Sequence, residues 1–180
     1  MQANYGMAVW EQLIEAGAKY GLTPYGTETM HILRAEKGFI IAGQDTDGSV
    51  HPYDLGMGWC VSNQKPFSYI GKRGMNRSDC TRANRKQLVG LKTKDPKQVI
   101  PEGSAAVLDP KGPKPLEIQG HISSSYWSET LGHSIAMGFI KGGLDKMGET
   151  VYYPMADGTV IEAEICSPIF FDPKGERQNV

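Results

Sequence analysis

The spacing of apolar residues changes near position 86, and this change constrains the fold more than any other feature of the sequence. Before that position, apolar residues recur every three or four residues, as they do on one face of a helix. After it, short apolar runs are separated by turns rich in Pro and Gly, which is typical of antiparallel strands. We therefore expect an α+β fold in two parts, one over residues 1–83 and one over residues 84–180.

Two helices are expected in the first part. Thr27 is a suitable N-cap for the second helix, and Gly38 suits the position just after its end. The first helix is expected over residues 6–20, where the apolar residues at helical spacing are Met7, Trp10, Leu13 and Ile14.

Short strands are expected at residues 39–42 and 59–61, with a helical turn begun by Pro52 between them. A helix that opens such a layer usually packs on a strand that precedes it in the chain. We therefore interpret the first part as a partial α/β layer.

The second part contains six candidate strands joined by turns. Their even spacing predicts an antiparallel β-barrel or a jelly-roll-like sandwich. The candidates are residues 87–92, 105–108, 117–122, 134–140, 150–153 and 160–165.

The composition excludes several classes of protein. The net charge is -1 and 39% of the residues are hydrophobic, so neither nucleic acid nor a membrane surface is an expected partner. No apolar run approaches the roughly 20 residues of a membrane span, and the first residues do not resemble an export signal. The three cysteines are far apart and form no metal-binding pattern. A soluble, reduced protein of the cytoplasm without a metal site is expected.

No complete catalytic signature is present, so the sequence identifies no catalytic residue. The GxGxxG, P-loop, HExxH and GxSxG patterns are all missing. The loop at residues 44–48 is rich in Asp, but it lacks the ligand series and the terminal Glu of an EF-hand, so calcium is not expected.

Four side chains and one basic segment are candidates for contact with a ligand or a partner. Arg34 and Glu36, at the end of the second helix, either complement the helix dipole or orient a polar ligand. Tyr126 and Trp127, flanked by serines, either stack on a flat heterocycle or close the end of the barrel. The basic segment at residues 72–86 is either a solvated linker or a contact for an anion or a subunit.

Several motifs, in order along nearly the whole chain, resemble those of the aminomethyltransferase (glycine cleavage T-protein) superfamily. The motifs are LRxExG at residues 33–38, GxDxD at 43–47, LGxxW at 55–59, an FIGK-like element at 67–73, a strand-like run at 85–91, and a GxVTS-like strand and loop at 120–128. The resemblance implies a truncated form of that superfamily's folate-binding fold, with a partial ferredoxin-like α/β layer followed by a carboxyl-terminal antiparallel β-barrel.

Within the superfamily, three segments look like variants found in the alpha subunit of heterotetrameric sarcosine oxidases. They are residues 27–31, 124–127 and 167–173. Aminomethyltransferases usually carry an Arg near folate where this chain has Met30, and a methionine cannot donate a charge-assisted hydrogen bond. This departure argues against glycine cleavage as the activity.

The resemblance implies a folate-binding carboxyl-terminal fragment of such an alpha subunit, inactive alone, with tetrahydrofolate as its cofactor. Its partners would be the beta, gamma and delta subunits, and the NAD and flavin of the whole enzyme would lie outside this chain. The folate-binding residues implied are Met30, Arg34, Glu36, Tyr126 and Trp127. An aminomethyltransferase-like transferase and a non-catalytic subunit-docking domain are the alternatives.

Overall fold

The computed structural model describes residues 2–179, which form two compact units. The first unit comprises residues 2–30 and the second comprises residues 31–179. The family-specific motifs from Leu33 onward therefore all lie in the second unit.

The first unit contains helix α1 (Gly6–Ala18) and the beginning of helix α2 (Thr27–Glu36). Both predicted helices are therefore confirmed. Gly21 adopts the left-handed conformation after α1, and the amide of Leu22 donates to the carbonyl of Gly17, which ends that helix. No side chain of α1 is buried, although its apolar face predicted the helix.

The second unit is built on one antiparallel sheet of six strands in the order β2-β3-β4-β1-β6-β5. Two short helices, α3 (Lys72–Met75) and α4 (Ser78–Thr81), precede the sheet. The strands are β1 (Lys86–Thr93), β2 (Ala105–Ala106), β3 (Gly120–Ser128), β4 (His133–Lys141), β5 (Thr150–Pro154) and β6 (Val160–Cys166).

The two faces of the sheet carry separate apolar clusters because successive strand residues point to opposite faces. One cluster gathers residues of β1, β3, β4, β5 and β6, including Val89, Ile122 and Tyr153. The other packs Leu88 of β1 and three residues of β4 against Ala35 at the end of α2. The sheet thereby fixes the end of α2 against the strands β1 and β4.

The antiparallel sheet is as predicted, but its strand ladder is not closed into a barrel. The edge strands are β2 and β5, and an isolated antiparallel bridge between Val107 and Tyr152 joins them. The amide of each of these two residues donates to the carbonyl of the other, over 2.9 Å in both directions. Because β2 is only two residues long, the ladder ends there and the bridge replaces a continuous pairing.

Three of the shorter predictions need correction. Residues 39–42 form no strand; Ala42 instead makes an isolated bridge with Thr46 in a tight turn. Residues 59–61 do not form a strand either, because a 3-10 turn spans Gly58–Cys60. The strand expected at 117–122 begins at Gly120 and continues to Ser128, so the serine-rich segment is part of β3 and not a loop.

Candidate functional site

Arg34 lies at the centre of a buried polar network between α2 and β3. Its Nη1 donates to Asp45 Oδ2 over 2.5 Å and to the carbonyl of Phe39 over 3.2 Å. Its Nη2 donates to Ser124 Oγ over 2.6 Å and to the hydroxyl of Tyr126 over 3.3 Å. The last turn of α2 is thereby tied to two residues of one strand face.

Asp45 receives hydrogen bonds at both carboxylate oxygens. Ser123 and Ser124 each donate a hydroxyl to Oδ1 over 2.6 Å, and the amide of Ile41 donates to Oδ2 over 2.8 Å. Two consecutive strand residues reach the same oxygen because the β3–β4 register shifts between Ile122 and Ser124. The irregular strand, the Asp-rich turn and α2 therefore meet at one carboxylate.

Tyr126 marks the more open side of this network. Its hydroxyl accepts from Arg34 and, over 3.4 Å, from the amide of Gln44. The same Gln44 amide donates to Ser124 Oγ over 3.2 Å and to Glu102 Oε1 over 3.4 Å. The Tyr126 ring is half-buried, and the guanidinium of Arg34 lies 5.8 Å from its centroid. A polar ligand can approach Tyr126 and Gln44 more easily than the buried Arg34.

Glu36 holds the far end of β3. Its Oε1 accepts the hydroxyl of Ser128 over 2.6 Å, and its backbone carbonyl accepts the amides of Phe170 and Phe171, each over 2.9 Å. Lys37 also donates to Asp172 Oδ2 over 3.2 Å. The segment after β6 therefore clamps the end of α2.

The structure brings three of the five predicted site residues into the contacts just described and leaves Trp127 and Met30 outside them. Arg34, Glu36 and Tyr126 belong to the contacts just described, and Trp127 follows Tyr126 on β3 with its side chain half-buried. Met30 is exposed and lies in the first unit, at the third residue after the start of α2. Arg34 and Glu36 are both buried; Glu36 is paired with Ser128, and Arg34 is paired through its two Nη atoms but not through Nε.

Two buried polar atoms, one in this network and one on the other face of β3, have no hydrogen-bond partner within the described residues. They are Arg34 Nε and the hydroxyl oxygen of Ser125. An unsatisfied buried polar group is costly and commonly marks a position where a ligand or water completes the site. Tyr126 and Trp127 are half-buried aromatic residues on opposite faces of β3, because they are successive residues of one strand.

The sequence did not reveal Asp45, Ser123 and Ser124 as members of the network. Asp45 lies within the GxDxD motif, so the motif was a usable signal for it. The serines offered a weaker signal, because a serine-rich segment is typical of a loop as well as of a polar strand face. Only the bulge in β3 brings both hydroxyls to one carboxylate.

The end of the basic segment forms a second ionic network. Arg85 donates through Nε and Nη2 to the buried carboxylate of Asp54, with a shortest distance of 2.6 Å, and through Nη1 to Asp79 over 3.1 Å. Its Nη2 also donates to the carbonyl of Ser49 over 2.7 Å. Hydrogen bonding to Asp54 raises the pKa of the Arg85 guanidinium above its usual value. The donors of Arg85 are thus occupied by internal partners, and its role is to stabilise the fold.

Across residues 2–179, no cluster of three or more His, Cys, Asp or Glu side chains could hold a metal ion. None of the helices in this described range is long and apolar enough to cross a bilayer.

Two family models match the chain. The GCVT N-terminal domain matches residues 1–65, and the glycine cleavage T-protein C-terminal barrel domain matches residues 86–172. The chain therefore belongs to the glycine cleavage T-protein superfamily, as the motifs predicted.

Within this superfamily, the chain is similar to alpha subunits of sarcosine oxidase. It is 42% identical to that subunit of Corynebacterium sp. strain U-96, over 98% of this chain and 18% of the relative. With the subunit of Rhizobium meliloti strain 1021 the identity is 36%, over 99% of this chain and 18% of the relative. The chain thus spans less than a fifth of the length of these relatives.

Aminomethyltransferases are similar over a shorter part of the chain. That of Halothermothrix orenii is 36% identical over 84% of this chain and 40% of the relative. The crystal structure of the glycine cleavage system aminomethyltransferase T of Bartonella henselae superimposes with a TM-score of 0.77 at 22% identity. It covers 94% of this chain and 45% of the Bartonella chain, and it establishes the shared fold.

Proposed function

We propose that this chain is a folate-binding domain that serves one-carbon transfer as part of a sarcosine oxidase alpha subunit. The similarity to such subunits over 98% of the chain supports the choice of enzyme. The observation that carries the proposal is the Arg34–Asp45–Ser124 network, which fixes Tyr126 beside the buried guanidinium of Arg34, whose Nε has no hydrogen-bond partner.

In the whole enzyme, sarcosine, O₂ and tetrahydrofolate would give glycine, 5,10-methylenetetrahydrofolate and hydrogen peroxide. The oxidation would take place at a flavin carried by another subunit, and NAD would also lie outside this chain. The beta, gamma and delta subunits would be the partners, in the cytoplasm. Bound tetrahydrofolate would supply the nucleophilic nitrogen that captures the one-carbon unit.

The contribution of this chain would be to bind and orient the folate. Tyr126 and Trp127 would contact the flat heterocycle. Arg34 and Glu36 are buried and internally paired, so they would act by holding β3 and Tyr126 in place. Met30 stands where aminomethyltransferases carry an arginine, and it remains a candidate folate contact from the sequence resemblance alone.

Isothermal titration of the 180-residue chain with tetrahydrofolate or folinic acid tests this proposal. Micromolar binding that Trp127→Ala weakens is the expected result. Saturable binding that is insensitive to Trp127 would overturn the assignment of the aromatic residues. No detectable binding would overturn the idea of an autonomous folate domain.

A non-catalytic docking domain is the second candidate, and the exposed apolar face of α1 favours it. Met7, Trp10 and Leu13 on this face are each at least half exposed. Absence of folate binding, together with stable association with the other oxidase subunits, would favour this candidate.

A further inference from the structure

A cleft of about 310 Å³ lies beside the ends of β1 and β4, within the second unit. Lys86, Lys141, His121 and Phe139 line it from the sheet, and the loop at residues 43–50 lines it from the other side. The cleft includes Asp45 but none of the residues Glu36, Tyr126 and Trp127. It adjoins the surface proposed for folate at Gln44 and Asp45, but its two lysines, His121 and Phe139 lie outside the contacts proposed for folate.

Most carboxylates of the cleft are already neutralised by arginines. Asp45 is paired with Arg34, and Asp54 is paired with Arg85 over 2.6 Å. Asp79 Oδ1 is paired with Arg82 Nε over 2.9 Å. Because these pairs cancel, the charges that remain to act on a ligand come mainly from the two lysines and from Asp47 on the loop.

Lys86 and Lys141 lie directly opposite each other in the β1–β4 register. Like charges at directly opposed positions of an antiparallel pair are destabilising. Lys141 reaches Glu117 over 3.1 Å, but the Glu117 side chain is 78% exposed, and such surface pairs contribute little. Among the residues that the structure describes, no carboxylate lies within ion-pair distance of Lys86.

His121 lines the same cleft as the two lysines. Its ring stacks on Phe139, with 5.8 Å between the centroids. Burial and, next, the charge of Lys86 lower the pKa of the His121 imidazole, whereas Asp47 opposes this change. Lys86, Lys141 and His121 thus line the same cleft, and an imidazole there can donate a hydrogen bond to a ligand.

We propose that this cleft binds a small oxyanion, a carboxylate or a phosphate group, between Lys86 and Lys141. The oxyanion would relieve the repulsion between the two lysines and would receive a hydrogen bond from His121. Asp47 on the opposite wall disfavours additional negative charge, so the cleft fits a ligand with a single oxyanion group. This inference does not depend on folate binding by the chain.

Titration of the 180-residue chain with inorganic phosphate, and separately with acetate, tests the proposal. The readout is the NMR resonance of the His121 ring, which should shift saturably in the millimolar range with at least one of the two anions. The tighter of the two anions identifies the preferred chemistry. Saturation with the anion should also raise the pKa of His121, because the negative charge of the bound anion offsets the positive charge of Lys86, which lowers that pKa.

Substitutions on the two walls should act in opposite directions. Lys86→Gln and Lys141→Gln should each weaken binding by about threefold or more, and Asp47→Asn should tighten it by about twofold or more. Lys111→Gln changes an exposed lysine outside the cleft and should leave the affinity unchanged. Backbone amide spectra of each variant show whether the fold is retained.

Two results would overturn the proposal. One is a linear, non-saturating shift of His121 with both anions. The other is equal affinity in the Lys86→Gln, Lys141→Gln and Lys111→Gln variants, which would reduce the effect to general screening by ions.

Discussion

Arg34 and Asp45 form an ion pair of 2.5 Å in which the two side chains are 8% and 0% exposed. Both partners are further satisfied by neighbouring hydroxyls and backbone groups, among them Ser124 and Ile41. A buried pair of this kind contributes little net stability compared with apolar residues, but the loss of one partner leaves a buried charge uncompensated. The pair is therefore a point at which one substitution affects both α2 and β3.

Asp45→Asn is expected to lower the free energy of unfolding by about 3–5 kcal/mol. The amide keeps the shape of the carboxylate but leaves the Arg34 charge without a counterion, and Asn cannot accept all of the hydrogen bonds that reach Asp45. Urea denaturation followed by circular dichroism measures the change. Asp145→Asn, at an exposed position, is the matched control and should shift stability by about 0.5 kcal/mol or less. Equal stability of the two variants would show that the pair is not buried as described.

Two substitutions of Tyr126 separate its hydroxyl from its ring. Tyr126→Phe removes one hydrogen-bond acceptor of Arg34 and should weaken folate binding by about two- to tenfold. Tyr126→Ala also removes the aromatic surface and should weaken binding by a further factor of about five or more. Isothermal titration measures both affinities.

Tyr152→Phe is the control for these variants, because Tyr152 lies on the edge strand β5 and not on β3. Its folate affinity should equal that of the unsubstituted chain. If Tyr126→Ala bound folate as tightly as Tyr152→Phe, the ligand would not contact this side of β3.

The fold was predictable where local pattern and final structure agree. The helical spacing of Met7, Trp10 and Leu13 marked α1, and short apolar runs between turns marked β4 and β6. The strand predicted at residues 39–42 was wrong, although apolar side chains such as these suit a strand. The Asp45 carboxylate accepts the amide of Ile41 and closes a turn there instead. Asp45 is held in place for this hydrogen bond by Arg34 and by the serines of β3. The local sequence pattern around residues 39–42 gives no sign of these distant partners.

The site was predictable only in part for a similar reason. Arg34 and Tyr126 were recognised separately, one from the end of a helix and the other from an aromatic pair between serines. Their contact spans 92 positions of sequence, and it arises because β3 pairs with β4 and β4 packs on Ala35. The contact between Arg34 and Tyr126 cannot be predicted from the sequence unless the pairing register of the strands is known.

Arg85→Lys is expected to lower the free energy of unfolding by about 2–3 kcal/mol. Lysine keeps the charge but cannot reproduce the fork of donors that reaches Asp54, Asp79 and the Ser49 carbonyl. Urea denaturation measures the loss, and faster hydrogen exchange near residues 49–54 should accompany it. Arg82→Lys changes an arginine that is 61% exposed in its pair with Asp79, and it should cost about 0.5 kcal/mol or less. A comparable loss in both variants would contradict the distinction between the two arginines.

Cys166 should make the protein less stable at alkaline pH. Burial raises the pKa of its thiol from 9.0 to about 11 in the folded chain. Between these two pH values the unfolded chain releases the thiol proton while the folded chain keeps it, so stability present below pH 9 is lost as the pH rises toward 11. Urea unfolding at several pH values should show a shallower alkaline loss for Cys166→Ala. Cys60→Ala, at an exposed cysteine, should leave the slope unchanged, and identical slopes for both variants would rule out Cys166 as the source.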